Sequence, residues 1–164
     1  MEIVHDIYLS LGSNSGNREE NIQQAISKVN DSIGSVVSCA TFFENAAQGF
    51  HSDTLFLNTC ICVKSDIDHF SLLRKIKEIE ESLGRKPKTV VGYESRTIDI
   101  DIILLDNLVF SNHDLTIPHK LFRSRDFVLF PLTEIAPDVI DPVSSLTSQQ
   151  LLELLKINES GHFK

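Results

Sequence analysis

Up to Leu105 the apolar residues change period in one fixed order, and that order constrains the fold more than any other feature of the chain. Ile3 to Leu11 alternates as a strand does. A turn cluster, Gly12 to Asn17, leads into Ile22, Ala25, Ile26 and Val29 at helical spacing. Asn17 is placed to cap that helix, with Glu20 at its third position. Val36 to Glu44 reads as a second strand, Asn45 to Thr54 as a polar loop, and Phe56 to Lys64 as a third strand. Asp68 can cap a second helix, whose apolar stripe is Leu72, Leu73, Ile76, Ile79 and Leu83 and whose stop is Gly84. A basic loop from Arg85 to Arg96 precedes a fourth strand, Ile98 to Leu105.

Strand, helix, strand, strand, helix, strand is the split βαβ order of the ferredoxin-like arrangement. The expected fold class is therefore α+β: a ferredoxin-like βαββαβ antiparallel sheet with both helices on one face, plus C-terminal additions. Asp106-Asn107 suits a turn into Leu108 to Phe110, Arg125 to Ile135 suits a short helix through Pro131, and Leu146 to Ile157 suits a terminal helix. No linker or repeat divides residues 1–164, so a single domain is expected.

The fourth strand carries the most chemistry. Within Ile98-Asp99-Ile100-Asp101-Ile102-Ile103-Leu104-Leu105 the period of two puts Asp99 and Asp101 side by side, about 6–7 Å apart. Ile98, Ile100, Ile102 and Leu104 are then expected on the opposite face, with Ile103 and Leu105 continuing the aspartate face. Paired carboxylates on a half-buried face repel one another unless a cation sits between them. Carboxylates holding Mg²⁺ against substrate phosphates are a recurring solution in phosphoryl-transfer sites. An exposed face with merely solvated aspartates is the other reading, and the strand by itself leaves both open.

Composition narrows the partners. The chain has 164 residues, 41% hydrophobic and 23% charged, with a formal net charge of −8. That acidity disfavours nucleic acid as a partner. No run approaches the roughly 18 apolar residues of a membrane-spanning helix, and the first residues lack the basic and apolar parts of a signal peptide. The three cysteines, Cys39, Cys60 and Cys62, suggest no disulfide framework. Cys60 and Cys62 are expected as buried small hydrophobes in a strand rather than zinc ligands, and a reducing, cytoplasmic setting follows.

Other segments are suggestive. Arg85 and Arg96 bracket the basic loop, and guanidiniums beside a carboxylate pair suit a polyphosphate. His119, Lys120, Arg123 and Arg125 crowd the segment after Pro118, either as a phosphate clamp or as an ordinary basic loop. The Gly12 to Asn17 loop lacks the Gly-Lys-Ser/Thr ending of a Walker A loop, so a tight strand-to-helix turn is the better account. Asn58, on the same strand face as Phe56, could read the edge of a flat heterocycle.

Together these blocks resemble the 6-hydroxymethyl-7,8-dihydropterin pyrophosphokinase family. The resemblance rests on Leu9-Ser10-Leu11-Gly12-Ser13-Asn14, Phe56-Leu57-Asn58, and Ile79-Glu80-Glu81-Ser82-Leu83-Gly84-Arg85. It continues through Arg96-Thr97-Ile98-Asp99-Ile100-Asp101-Ile102, Leu115-Thr116-Ile117-Pro118-His119 and Arg125-Asp126-Phe127-Val128-Leu129-Phe130-Pro131-Leu132. The resemblance implies transfer of the β,γ-pyrophosphoryl group of ATP to the hydroxymethyl oxygen of the pterin, releasing AMP, in folate biosynthesis. It implies two Mg²⁺ ions held by Asp99 and Asp101, with Arg85 and Arg96 stabilising the phosphates alongside them. Lys77, Glu80, Ile102, Thr116, His119, Lys120 and Arg125 fall at ATP-contacting positions. Phe56 and Phe127 would sandwich the pterin and Asn58 would bond its edge, with Asn45, Gln48 and Tyr93 completing that site. Small-molecule substrates and a monomer are the expected partners and state. Gly92 departs from the family by standing where many relatives carry arginine, and Asp114 by standing where some do. A different metal-dependent phosphotransferase, or a ligand-binding module without turnover, are the competing readings, since this fold hosts many functions.

Overall fold

The computed structural model describes residues 3–45, 55–84 and 97–161. Its elements are β1 (His5–Ser13), α1 (Arg18–Ser32), β2 (Ser35–Cys39), β3 (Phe43–Asn45), β4 (Phe56–Ser65), α2 (His69–Ser82) and β5 (Asp99–Leu105). A small hairpin of β6 (Phe110–Ser111) and β7 (Thr116–Ile117), then α3 (Asp126–Ile135) and α4 (Ser148–Gly161), complete the described chain.

The caps are where the residue types put them. The Asn17 side chain accepts from the Glu20 N–H and starts α1, and Asp68 accepts from the Ser71 N–H and starts α2. Gly84, at φ +101°, takes the left-handed conformation that ends the second helix. Pro131 sits inside α3.

The main sheet is antiparallel in the order β2-β4-β1-β5, with β3 also paired to β4. The expected single strand from Val36 to Glu44 is therefore two. Ala40 donates its N–H to the Cys60 carbonyl, and the chain then leaves β4 at Thr41 before rejoining it at Phe43.

One face of the sheet packs against α1 and α2 through Leu9, Leu11, Ile22, Val29, Leu72 and Ile76, all essentially inaccessible. The other packs against α3 and α4 through Cys60, Ile103, Leu104, Phe122, Leu129 and Leu152. Cys60 and Cys62 are thus buried strand residues, and burial pushes both thiol pKa values up, which suits packing rather than reactivity.

A β-bulge corrects one expectation. Tyr8 pairs with Leu104 but Leu9 pairs with Ile102, leaving Ile103 as an extra residue in β5. Ile98, Ile100 and Ile102 face α1 and α2 as the alternation requires. Beyond the bulge the faces exchange: Leu105 joins the α1–α2 core, and Leu104 joins Ile103 under α3. The aspartate face therefore runs from two carboxylates directly into a buried apolar patch. No helix among the described residues is long and apolar enough to cross a membrane.

Candidate active site

Cross-strand register assembles one face. Gly12 of β1 lies opposite Asp99 of β5 on one side and opposite Asn58 of β4 on the other, and Ser10 lies between Asp101 and Cys60. On β3, Phe43 pairs with Asn58 and Asn45 with Phe56. Asp99, Asp101, Gly12, Asn58, Phe56 and Asn45 thus share a single surface of the sheet. Asp99 and Asp101 are half-buried, whereas Asn58 is 4% exposed.

Gly12 is required by the close approach of its neighbours. A Cβ there would lie 2.9 Å from Asn58 Oδ1 and 3.6 Å from Phe56 Cδ1. Asn58 Oδ1 therefore points over the bare glycine backbone, while its Nδ2 donates to the Phe43 carbonyl at 3.3 Å and to Asn45 Oδ1. The amide is locked with its acceptor facing the lane that leads toward Asp99.

On the opposite side of the carboxylates, at the edge of the sheet, lies a cavity of about 330 Å³. Leu73 and Ile76 of α2 form one wall, Asp101 and Ile102 the floor, and Leu115 to Lys120 the other wall, with Thr116, His119 and Lys120 lining it. Asp114 stands at its rim. Two contacts secure this edge. The Glu80 carboxylate accepts from the Ile100 N–H at 2.9 Å, between the two aspartates, and the His119 N–H donates to the Ile103 carbonyl at 3.0 Å. The bulge residue thus supplies the acceptor that docks the 117–120 segment, whose Ile117–Pro118 peptide is cis.

His119 is held in one protonation state. Burial, reinforced by the Arg125 charge, pushes its pKa down to about 4 against the opposing pull of Asp99. Its Nδ1 accepts from the Leu121 N–H at 3.2 Å, so the proton of the neutral ring resides on Nε2, 4.0 Å from Asp101 Oδ2. The pair is a neutral donor facing a carboxylate rather than an ion pair.

The remaining expected residues divide. Arg125 occupies the residue position just before α3 and places its guanidinium over the Phe127 ring, 5.5 Å from the centroid. Val128 follows, its carbonyl accepting from Cys60 Sγ at 3.6 Å, which sets the first turn of α3 over β4. Lys77 is exposed on α2, one residue beyond the cavity wall at Ile76, and Glu80 is buried and engaged with β5. Arg85, Arg96, Gln48 and Tyr93 lie outside the described residues.

Three groups escape sequence reading. Leu73, Ile76 and Leu115 line the cavity, yet apolar residues at helical spacing look the same whether they face a core or a cavity. Gly12 reads as a turn glycine. Arg18, at the start of α1, donates to the Leu55 carbonyl at 2.7 Å and to Glu44 at 2.8 Å, tying β3 to the residue before β4. Only its place in the first helical turn hints at a tertiary role.

The family model described as 7,8-dihydro-6-hydroxymethylpterin-pyrophosphokinase (HPPK) matches residues 8–137. This chain belongs to that family. The Aquifex aeolicus 2-amino-4-hydroxy-6-hydroxymethyldihydropteridine pyrophosphokinase is 39% identical over 137 residues, covering 84% of each chain. The Dictyostelium discoideum folic acid synthesis protein FOL1 is 35% identical over 145 residues, 88% of this chain but 22% of that protein. The crystal structure of Plasmodium falciparum HPPK-DHPS superposes with a TM-score of 0.74 at 15% identity, covering 93% of this chain and 45% of that one, which shows the shared fold. The family's reaction is pyrophosphoryl transfer from ATP to 6-hydroxymethyl-7,8-dihydropterin in folate biosynthesis, and it is the reaction of this chain.

Proposed function

We propose that the Asn58 lane and the Asp101 cavity are the two ends of one active site, with the pterin bound at the first and ATP at the second. The observation that carries this reading is the register of three adjacent strands. Asn58 and Asp99 are two strand spacings apart, about 10 Å, separated by a glycine with no side chain. That span suits a bicyclic heterocycle whose edge is read at Asn58 and whose exocyclic CH₂OH arm reaches Asp99.

Phe56 and Phe127 supply the faces between which the pterin ring stacks, and Asn45, Gln48 and Tyr93 complete its site. The cavity takes the nucleotide, its base against Leu73 and Ile102 and its phosphates toward Thr116, His119, Lys120 and Arg125. Lys77 and Glu80 flank it, Glu80 by fixing the β5 backbone between the aspartates. Asp99 and Asp101 offer hard carboxylate oxygens on one face of the sheet, a donor set that fits Mg²⁺ completed by phosphate oxygens and water. When bound, Mg²⁺ supplies charge neutralisation of the triphosphate and orientation of its β-phosphoryl group.

The protein's own groups then act by positioning. Asn58 and the stacked aromatics hold the ring so that the hydroxyl oxygen faces the β-phosphorus, and Asp99 accepts a hydrogen bond from that hydroxyl. A bond forms from this oxygen to the β-phosphorus as the bond between the β-phosphorus and the α,β-bridging oxygen breaks; the hydroxyl proton passes to the Asp99 carboxylate and on to water, and AMP leaves with the bridging oxygen. Neutral His119 donates from Nε2 on the phosphate side without adding a proton-transfer step, and Lys120, Arg85 and Arg96 offset the phosphate charge. A monomeric cytoplasmic enzyme of one ferredoxin-like domain is the form this reading assigns.

Binding experiments test it. Mn²⁺, titrated in the presence of a non-hydrolysable ATP analogue, is expected to bind wild type and to lose affinity at least about tenfold in Asp99→Asn or Asp101→Asn. Pterin binding is expected to weaken in Asn58→Ala while nucleotide binding holds. Unchanged Mn²⁺ affinity in both aspartate variants would remove the metal assignment.

A further inference from the structure

The lane over Gly12 works only if Asn58 presents its acceptor; its Nδ2 donates to the Phe56 carbonyl on its own strand at 3.4 Å, and to two groups on β3, the Phe43 carbonyl and Asn45 Oδ1. Among the described residues this three-residue strand pairs with β4 alone. A second set of contacts, outside the reacting region, determines where it sits. The Glu134 carboxylate at the end of α3 accepts from the Thr41 N–H through Oε2 at 2.7 Å and from the Thr41 hydroxyl through Oε1. One helical turn earlier on α3, Phe130 packs against Phe43, ring centroids 5.5 Å apart.

The two contacts match in pitch. Phe130 and Glu134 are four helical residues apart, about 6 Å along the axis. Thr41 and Phe43 are two residues apart in extended chain, about 6.6 Å. Two points at equal spacing fix the direction of one element on the other, where a single point would leave a pivot. The opposite end of α3 carries Phe127, and β3 carries the partners of Asn58. Lys156 of α4 closes over the outer side of the Phe130 ring at 5.4 Å, so the helix end is itself supported.

We infer that Glu134, through its paired contacts with Thr41, is a positioning residue for pterin recognition: it holds β3 against α3, and so holds the Asn58 amide and the Phe127 ring at a fixed separation. The inference rests on the assignment of Asn58 and Phe127 to the pterin. Glu134 touches neither substrate. It accounts for the interruption between β2 and β3 as well, because Thr41 must leave the sheet to present both its N–H and its hydroxyl to the carboxylate.

The test compares Glu134→Ala, Glu134→Gln, Thr41→Val and Asn58→Ala in the full chain. Pterin affinity is measured by titration at saturating non-hydrolysable ATP analogue, beside ATP affinity and Tm. Glu134→Ala is expected to weaken pterin binding about five- to tenfold, the loss of one charge-assisted contact at an exposed site. ATP affinity should stay within twofold. Glu134→Gln, which keeps an acceptor for the Thr41 N–H and a donor for its hydroxyl, should recover most of the loss, and Thr41→Val should fall between. Unchanged pterin affinity in Glu134→Ala, with Asn58→Ala impaired, would overturn the positioning role. A parallel fall in pterin affinity, ATP affinity and Tm would reduce Glu134 to a general structural contact and overturn it too. Unchanged binding in Asn58→Ala would instead remove the underlying pterin assignment.

Discussion

Gly12→Ala is the sharpest perturbation the geometry offers, because it adds one methyl group to the centre of the lane. The new carbon would sit 2.9 Å from Asn58 Oδ1, closer than such contacts occur, 3.6 Å from Phe56 Cδ1 and 3.8 Å from the Leu57 carbonyl. The strand backbone around it is paired on both sides, so the side-chain amide must yield. Swinging Oδ1 away by a few tenths of an ångström stretches the Nδ2 bonds to the Phe43 carbonyl, already 3.3 Å, and to Asn45. Each such bond is worth about 0.5–1.5 kcal/mol, so the cost is about 1–3 kcal/mol, or about 5- to 150-fold in pterin affinity. Stability should fall by less than this, since replacing glycine where φ is ordinary restricts the unfolded chain and offsets about 0.4–1 kcal/mol of the strain. Calorimetric titration with the pterin at saturating ATP analogue, beside a thermal melt, reads both quantities. Unchanged pterin affinity would refute the lane, as would a loss of ATP affinity equal to the loss for pterin.

Other perturbations separate the remaining parts. Leu73→Ala should weaken ATP binding by about 1 kcal/mol, roughly fivefold, by removing half-buried apolar contact from the cavity wall; pterin affinity measured in the same series should not move. Burial of neutral His119 makes stability pH-dependent. Its pKa of about 4 lies below the usual 6.5, so the unfolded chain binds the extra proton first, and stability falls as pH drops from 6.5 to 4. Urea melts across that window should show wild type losing about 2–3 kcal/mol more than His119→Gln, and equal losses would show that the ring is not desolvated. Arg123→Ala should destabilise by about 2–4 kcal/mol, because it strands a buried carboxylate. Burial alone would raise the pKa of Asp141, but bonds from Arg123, Ser144 and the Val143 N–H outweigh it and hold it at about 2. A Tm within a degree of wild type in that variant would contradict the role of the pair.

How much of this was legible in the chain depended on the range of the interaction. The caps at Asn17 and Asp68 and the stop at Gly84 are local signals, and they stand where the residue types place them. So does the shared face of Asp99 and Asp101, because a period of two needs no knowledge of neighbours. The bulge at Ile103 was not legible: nothing in Ile102-Ile103-Leu104-Leu105 marks which residue is extra, and only pairing with Tyr8 and Leu9 decides it. Its effect reaches the site, since the exchange of faces puts Leu104 under α3 and turns the Ile103 carbonyl to His119. The Thr41–Glu134 contact joins residues 93 apart, and neither carries a local signature. The cavity wall at Leu73 was hidden for a different reason: apolar packing and apolar binding use the same residues at the same spacing.

The site assigned to this chain requires that pyrophosphoryl transfer occur on the aspartate face. The direct measurement is the fate of ATP in the presence of Mg²⁺, with and without 6-hydroxymethyl-7,8-dihydropterin, in wild type and in Asp101→Ala. AMP should form with wild type only when the pterin is present, and Asp101→Ala, confirmed folded by its melt, should form none above background. ADP as the product, or AMP released by Asp101→Ala at a rate near wild type, would contradict the site assigned to this chain.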